Sequence, residues 1–154
     1  MVAAVVLSSA TAAVTQTRPP TLDETTTFIV DAVRRYTAAA VARDDEQRGW
    51  RVDAVFAGCV VEKRTSYETP LLGTWEPRSA AAVWELGEID EPAIHVARKR
   101  DKDFAVTLPC RDDRACVAGP ASHRDTAASF EFSSEQIALR VAAAFRYATS
   151  LCQA

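Results

Sequence analysis

The 154-residue chain contains no asparagine and has only three lysines, two histidines and five glycines. N-glycosylation is excluded because its asparagine acceptor is missing. No apolar run approaches the roughly 18–20 residues that a membrane-spanning helix needs. Neither G-x-x-x-x-G-K-S/T nor G-x-G-x-x-G occurs in the sequence, so nothing indicates a glycine-rich phosphate site. These absences point away from nucleotide-binding enzymes and from a fold that contains a transmembrane helix.

The charge balance limits the range of partners further. The formal net charge is −3 at pH 7, whereas proteins that bind nucleic acid through its phosphates carry an excess of basic residues. Hydrophobic residues make up 48% of the chain and charged residues 25%, which is the balance of an ordinary globular domain. We therefore expect one folded domain with no nucleic-acid partner.

Residues 1–18 are typical of a processing segment or a disordered tail. An apolar run over Val2–Leu7 precedes the A-x-A pattern Ala10-Thr11-Ala12, although no basic residue stands before the run as it does in a signal peptide. The chain has 29 alanines and 15 arginines against three lysines, a bias typical of a high-GC bacterial genome. We predict a periplasmic or secreted bacterial protein, with a cytoplasmic location as the alternative, and a single domain over residues 19–154.

The even number of cysteines agrees with export. Four cysteines allow three pairings, and in an exported chain of this size they predict two disulfides. We expect Cys110 to pair with Cys116 across a charged turn, and Cys59 to pair with Cys152 near the end of the chain. The alternative is four buried free thiols in a cytoplasmic protein, because free cysteine packs as a small hydrophobe.

Two capping boxes mark the helices. Thr21 and Glu24 have the spacing of an N-cap residue and its N3 partner, and the apolar periodicity that follows predicts an amphipathic helix ending near Arg43. The run Ser133–Gln136 repeats that signal and predicts a second helix to about Leu151, with Leu139 pointing away from its apolar face.

Between the helices the apolar period changes to that of strands. Strands are predicted over Arg51–Glu68 (one or two), Ala81–Leu86, Ala93–Lys99, Asp103–Cys110, Ala115–Ala118 and Ser129–Phe132. Pro70, Gly73 and Pro77 predict an irregular loop over Thr69–Ser79. The connections are too short for crossover helices, so the strands should pair antiparallel. The predicted fold is α+β: an N-terminal amphipathic helix, a five- to seven-strand antiparallel sheet or partial barrel, and a C-terminal capping helix.

This order of elements resembles a known pattern. A meandering sheet closed by a C-terminal amphipathic helix is similar to the pleckstrin-homology-like fold. The run Val83–Asp90, followed by Ile94–Val96 and Val106–Leu108, also resembles uncharacterised bacterial exported proteins that have a helix, a sheet and a helix in this order. The likeness covers about residues 21–152. It implies a binding or scaffolding module and assigns no site residues.

The sequence offers little material for a metal, cofactor or catalytic site. Cys110, Cys116 and His123 form C-x5-C-x6-H, which lacks the short spacing of structural zinc sites. No cofactor or metal is therefore predicted. His95 should face solvent from a strand, and His123 should be exposed in a loop. Cys59 with His95 would be the pair required by a thiol- or histidine-dependent hydrolase, the alternative that we keep from the enzyme class.

Two surface features are candidate binding sites. Arg98, Lys99, Arg100 and Lys102 form a basic turn that would suit an anion, although such a turn more simply blunts a sheet edge. Trp75, in the predicted loop, would suit a partner contact, unless it packs back over one end of the sheet. We predict an exported, non-enzymatic binding or scaffolding domain whose partner is another protein or a cell-envelope component. An intracellular anion-binding domain that uses the basic turn is a further alternative.

Overall fold

The computed structural model describes residues 18–41, 48–99 and 103–154. Helices in these ranges are α1 (Leu22–Tyr36), α2 (Ala38–Val41) and α3 (Glu135–Gln153). The strands are β1 (Arg48–Ala57), β2 (Val60–Leu71), β3 (Thr74–Glu85), β4 (His95–Lys99), β5 (Asp103–Pro109), β6 (Val117–Ala118), β7 (Arg124–Asp125) and β8 (Ala127–Phe132).

The α+β class and the antiparallel pairing are confirmed. Five strands form one sheet in the order β1-β2-β3-β6-β7, and three form a second sheet in the order β4-β5-β8. The larger sheet has a strand number within the predicted five to seven, and the two sheets do not close into a barrel. Strand order and the grouping of strands depend on contacts between distant parts of the chain, which local periodicity does not contain.

Helix α1 begins at the position predicted from the capping box of Thr21 and Glu24. The Thr21 hydroxyl accepts a hydrogen bond from the Glu24 amide at 3.2 Å, and the Glu24 carboxylate accepts one from the Thr21 amide at 2.7 Å. The bond from the Thr21 amide stabilises the carboxylate and so lowers the pKa of the Glu24 carboxyl. The helix ends at Tyr36 rather than near Arg43, which lies outside the described residues. Thr37 is extended and bridges to Phe132 of β8, and this pairing interrupts the helix before α2.

Helix α3 also lies close to its predicted position. Its N-cap is Ser134, one residue later than the start of the predicted box, and the Ser134 hydroxyl accepts from the Ile137 amide at 3.4 Å. Leu139 is exposed as expected, and Leu151 in the last turns of the helix is also exposed. The helix buries Ala138, Val141, Ala142, Phe145, Ala148 and Thr149.

Strands β2 and β3 form a long hairpin where an irregular loop was expected. They pair from Val60 opposite Glu85 to Leu71 opposite Thr74, so the predicted loop over Thr69–Ser79 was wrong. Leu72 and Gly73 connect them, both with positive φ, as in a type I′ turn.

The two prolines of the predicted loop are tolerated inside this hairpin. Pro70 lies beyond the last β1–β2 pair, which is Arg48 with Glu68. Pro77 lies on β3, whose described pairing with β6 is confined to Val83. In the described part of the chain each proline therefore has a strand neighbour on one side only, the setting in which a strand accepts a residue without an amide hydrogen.

Aromatic side chains from both sheets and from α3 meet in the core. Phe145 of α3 stacks on Phe130 of β8 with ring centroids 5.6 Å apart, and it lies 6.3 Å from Phe56 of β1. Trp84 of β3 lies 6.0 Å from Phe130 on another side. Helix α3 therefore joins the two sheets, and the spaces left between them open at the protein surface.

Candidate functional site

Both predicted cysteine pairs are present. Cys59 and Cys152 have an S–S distance of 2.09 Å, and Cys110 and Cys116 one of 2.03 Å. None of the described cysteines is free. Because the sulfur of Cys59 is bonded, it offers no thiolate, and the thiol-dependent version of the hydrolase hypothesis loses its nucleophile.

The end of the β2–β3 hairpin is an exposed apolar protrusion, which we call the hairpin tip (residues 70–77). Among the residues that the structure describes, β1 pairs with β2 only as far as Glu68, and no described strand pairs with the hairpin on that side beyond this point. Leu72 is 98% exposed and Leu71 is 42% exposed. Trp75, paired with Pro70, is half-buried. The tip thus exposes apolar side chains close together in the chain, and exposed apolar patches often mark an interaction site.

A second feature is a cavity at the surface between the two sheets, which we call the inter-sheet cleft. It has a volume of about 220 Å³ and is bounded by α2, by β1 and β2, and by β8. Its lining comprises Thr37, Ala38, Ala39, Trp50, Val52, Lys63, Thr65 and Glu131. An adjoining cavity of about 440 Å³ shares four of these residues and adds Arg34, Arg51 and Asp53. Together the two cavities are in the size range of small-molecule sites, about 300–1,000 Å³.

Lys63 is the most unusual side chain of the cleft. It lies on the same face of β2 as the fully buried Val61 and is itself half-buried. Its ammonium donates to the Ser129 carbonyl oxygen at 2.6 Å and lies 5.2 Å from the centroid of the Phe130 ring. Burial lowers the pKa of Lys63, an effect that the nearby Glu131 carboxylate opposes.

Lys63 was not predicted to be a site residue. The signal available was weak: a lysine alternates with Val61 and Thr65 on one face of a strand. Such a residue is ordinarily a surface lysine. Its burial arises because β8, 66 residues along the chain, supplies Ser129.

The lowered pKa of Lys63 predicts a pH effect on stability. Between its folded pKa and the usual value for lysine, about 10.4, the unfolded chain binds the proton more tightly. The free energy of unfolding of the wild type should therefore rise with pH in that window, relative to Lys63→Met, which carries no such proton. Urea unfolding of both proteins from pH 8 to 10 measures the difference. Parallel pH profiles would contradict the burial of a charged Lys63.

The basic turn is only partly described. Arg98 and Lys99 are exposed at the end of β4, and Lys99 forms an ion pair with Glu131. Arg100 and Lys102 lie outside the described residues, so a shared anion site of the four residues stays a prediction. The structure instead links Lys99 to the inter-sheet cleft through Glu131.

The two histidines lie apart from each other and from the cleft lining. His95 is exposed on β4, with its Nδ1 atom 2.9 Å from the Ala93 carbonyl oxygen. His123 is exposed before β7, with Nε2 2.9 Å from an Asp125 carboxylate oxygen. Within the described ranges, no cluster of three or more His, Cys, Asp or Glu residues is arranged to hold a metal ion.

The comparisons with known proteins give no relative. No protein-family model, curated protein or solved structure matches the chain. Of the helices that the structure describes, none has the length and apolar character needed to cross a membrane. The resemblance to the pleckstrin-homology-like pattern therefore stays a prediction, and the function rests on the residues themselves.

Proposed function

We propose that this chain is a small exported, non-enzymatic binding domain that contacts another protein or a cell-envelope component through its hairpin tip. The observation that carries the proposal is Leu72, 98% exposed at the end of a hairpin that extends beyond the described β1–β2 pairs. The two disulfides support an oxidising compartment, and so a periplasmic or secreted location.

The backbone at Leu72 makes the choice of residue unusual. Its φ is +48°, and asparagine, aspartate and glycine dominate this position of a type I′ turn. A branched apolar side chain costs about 1–2 kcal/mol in this left-handed conformation. Leu72 contributes nothing to the core in return, because its side chain is in solvent. A contact made outside this chain would account for a leucine here.

Trp75 adds a larger apolar group to the hairpin tip. It lies two residues after Gly73 on β3 and remains half-buried, so part of the residue is accessible. Tryptophan is among the residues that contribute most to binding energy when a partner covers them. Trp75 shares one face of the hairpin with its pair Pro70, whereas Leu71 lies on the other face and Leu72 in the turn.

Site-specific photo-crosslinking tests this proposal directly. A photoreactive amino acid at Leu72, in protein expressed in its native host, should give a discrete adduct with one partner. Leu139 is the matched control, because it is a leucine that is 53% exposed on α3, away from the hairpin. We expect crosslinking at position 72 and little at position 139.

The identity of the adduct decides between partners. A protein adduct at position 72 would support contact with a protein. A lipid or glycan adduct would support contact with an envelope component. Substituting Trp75→Ala should reduce the yield of either adduct, since Trp75 lies on the same hairpin tip, three residues after Leu72. Equal labelling at positions 72 and 139, or none at 72, would overturn the proposal.

A further inference from the structure

Lys63 is the cation of the described lining of the inter-sheet cleft, and Glu131 is the carboxylate. Glu131 is already paired with Lys99, although its charge still favours the protonated form of Lys63. Lys63 itself forms no ion pair within the described residues. An incoming anion would therefore meet one cation that has no ion-pair partner of its own in the described part of the chain.

The rest of the lining is suited to an apolar group. Trp50 and Val52 project from β1, and Ala38 and Ala39 from α2, so one side of the cleft is aromatic and aliphatic. Thr37 and Thr65 add hydroxyl groups. Small-molecule sites commonly have this composition, with mostly apolar walls and a few convergent polar groups.

The position of Lys63 is the second argument for a ligand. Its ammonium is partly removed from water, and its described protein hydrogen bond is to Ser129. An ammonium has three donor hydrogens, so the Ser129 carbonyl leaves donor capacity toward the cavity that Lys63 lines. Charge-assisted bonds to a carboxylate are stronger than those to a neutral carbonyl.

We infer that the inter-sheet cleft binds a small organic carboxylate, with its carboxylate group at Lys63 and its apolar part against Trp50. This site is separate from the hairpin tip, and it does not depend on the function proposed for that tip. Ligand binding at the cleft would leave the crosslinking at Leu72 unchanged. Either proposal, partner contact at the tip or ligand binding at the cleft, can therefore be disproved without affecting the other.

Benzoate is a suitable probe because it joins a carboxylate to an aromatic ring. Calorimetric titration of the full-length, disulfide-intact protein at millimolar benzoate should show saturable binding that weakens as salt rises. Benzyl alcohol tests the need for charge, and inorganic phosphate tests the need for an apolar group. We expect both to bind at least about tenfold more weakly, since each lacks one of the two recognised parts.

Substitutions in β2 test whether Lys63 binds the carboxylate of the ligand. Lys63→Met keeps the length of the side chain and removes its charge, and we expect benzoate affinity to fall at least about tenfold. Lys63→Arg should retain part of the binding. The matched control is Arg64→Met, one residue away on the opposite face of β2, where Arg64 pairs with Glu62 at 2.6 Å. That variant should bind benzoate as the wild type does.

A measurement on the wild type covers the case in which Lys63→Met does not fold. The indole N–H signal of Trp50, assigned with Trp50→Phe, should shift on benzoate addition while those of Trp75 and Trp84 stay in place. No saturable binding by the wild type, equal binding of phosphate and benzoate, or equal losses in Lys63→Met and Arg64→Met would each overturn the inference.

Discussion

We expect the double variant Cys59→Ser/Cys152→Ser to lose about 4–5 kcal/mol of the free energy of unfolding. The disulfide closes a loop with a sequence separation of 93 residues, and a crosslink over a long loop removes much entropy from the unfolded chain. Domains of this kind are stable by only about 5–15 kcal/mol. The loss should therefore be a large fraction of the total stability of the domain.

The position of this disulfide adds to its effect. Cys59 lies in the turn between β1 and β2, and its carbonyl oxygen accepts from the Leu86 amide at 2.8 Å just after β3. Cys152 lies in the last turn of α3. The bond therefore fastens the large sheet to the C-terminal helix, and its loss should also expose the end of that helix to fraying.

The second disulfide is the matched control. Cys110 and Cys116 are six residues apart, so the double variant Cys110→Ser/Cys116→Ser should lose only about 2 kcal/mol by the same chain-entropy relation. Urea unfolding of both double variants under non-reducing conditions measures the two losses. A greater loss from the short loop than from the long one would contradict the expected dependence on loop length.

Local signals predicted the parts of the fold that local contacts determine. The capping box at Thr21 and Glu24 is formed within one turn of helix, and both of its hydrogen bonds are present. The Cys110–Cys116 pair is likewise short-range, and the sequence alone indicated it. Strands with short connections had to pair antiparallel, and they do.

The parts that were wrong depend on distant neighbours. Pro70 and Pro77 indicated a loop because proline breaks a strand ladder, but that rule applies where both sides of the strand are paired. Whether a side is paired depends on where β1 and β6 end, which the sequence around the prolines does not show. The same limit applies to Thr37, where pairing with Phe132 ended a helix that periodicity had extended.

The candidate site residues likewise include one that the sequence predicted and one that it did not. Trp75 was predicted as a contact residue on its chemistry, and the structure places it on the hairpin tip beside Leu71 and Leu72, though in a strand rather than a loop. Lys63 was missed because its surroundings come from α2, β1 and β8. The burial of a charged residue such as Lys63 can be recognised only when the positions of the surrounding elements are known.

Phe145→Ala should lower the free energy of unfolding by about 3–5 kcal/mol. Phe145 is fully buried, and its ring meets Phe130 of one sheet and Phe56 of the other. Truncation to alanine removes those contacts and leaves a cavity that the surrounding sheets cannot fill without moving. Urea unfolding with the disulfides intact is the measurement.

The same helix offers the control. Leu139→Ala removes an apolar side chain that is 53% exposed, so its effect should stay within about 0.5 kcal/mol. Because Phe145 holds β1 against β8, and these strands contribute Trp50 and Glu131 to the cleft, Phe145→Ala should also weaken any ligand bound there. Similar losses of stability in the two variants would mean that α3 does not join the sheets through Phe145.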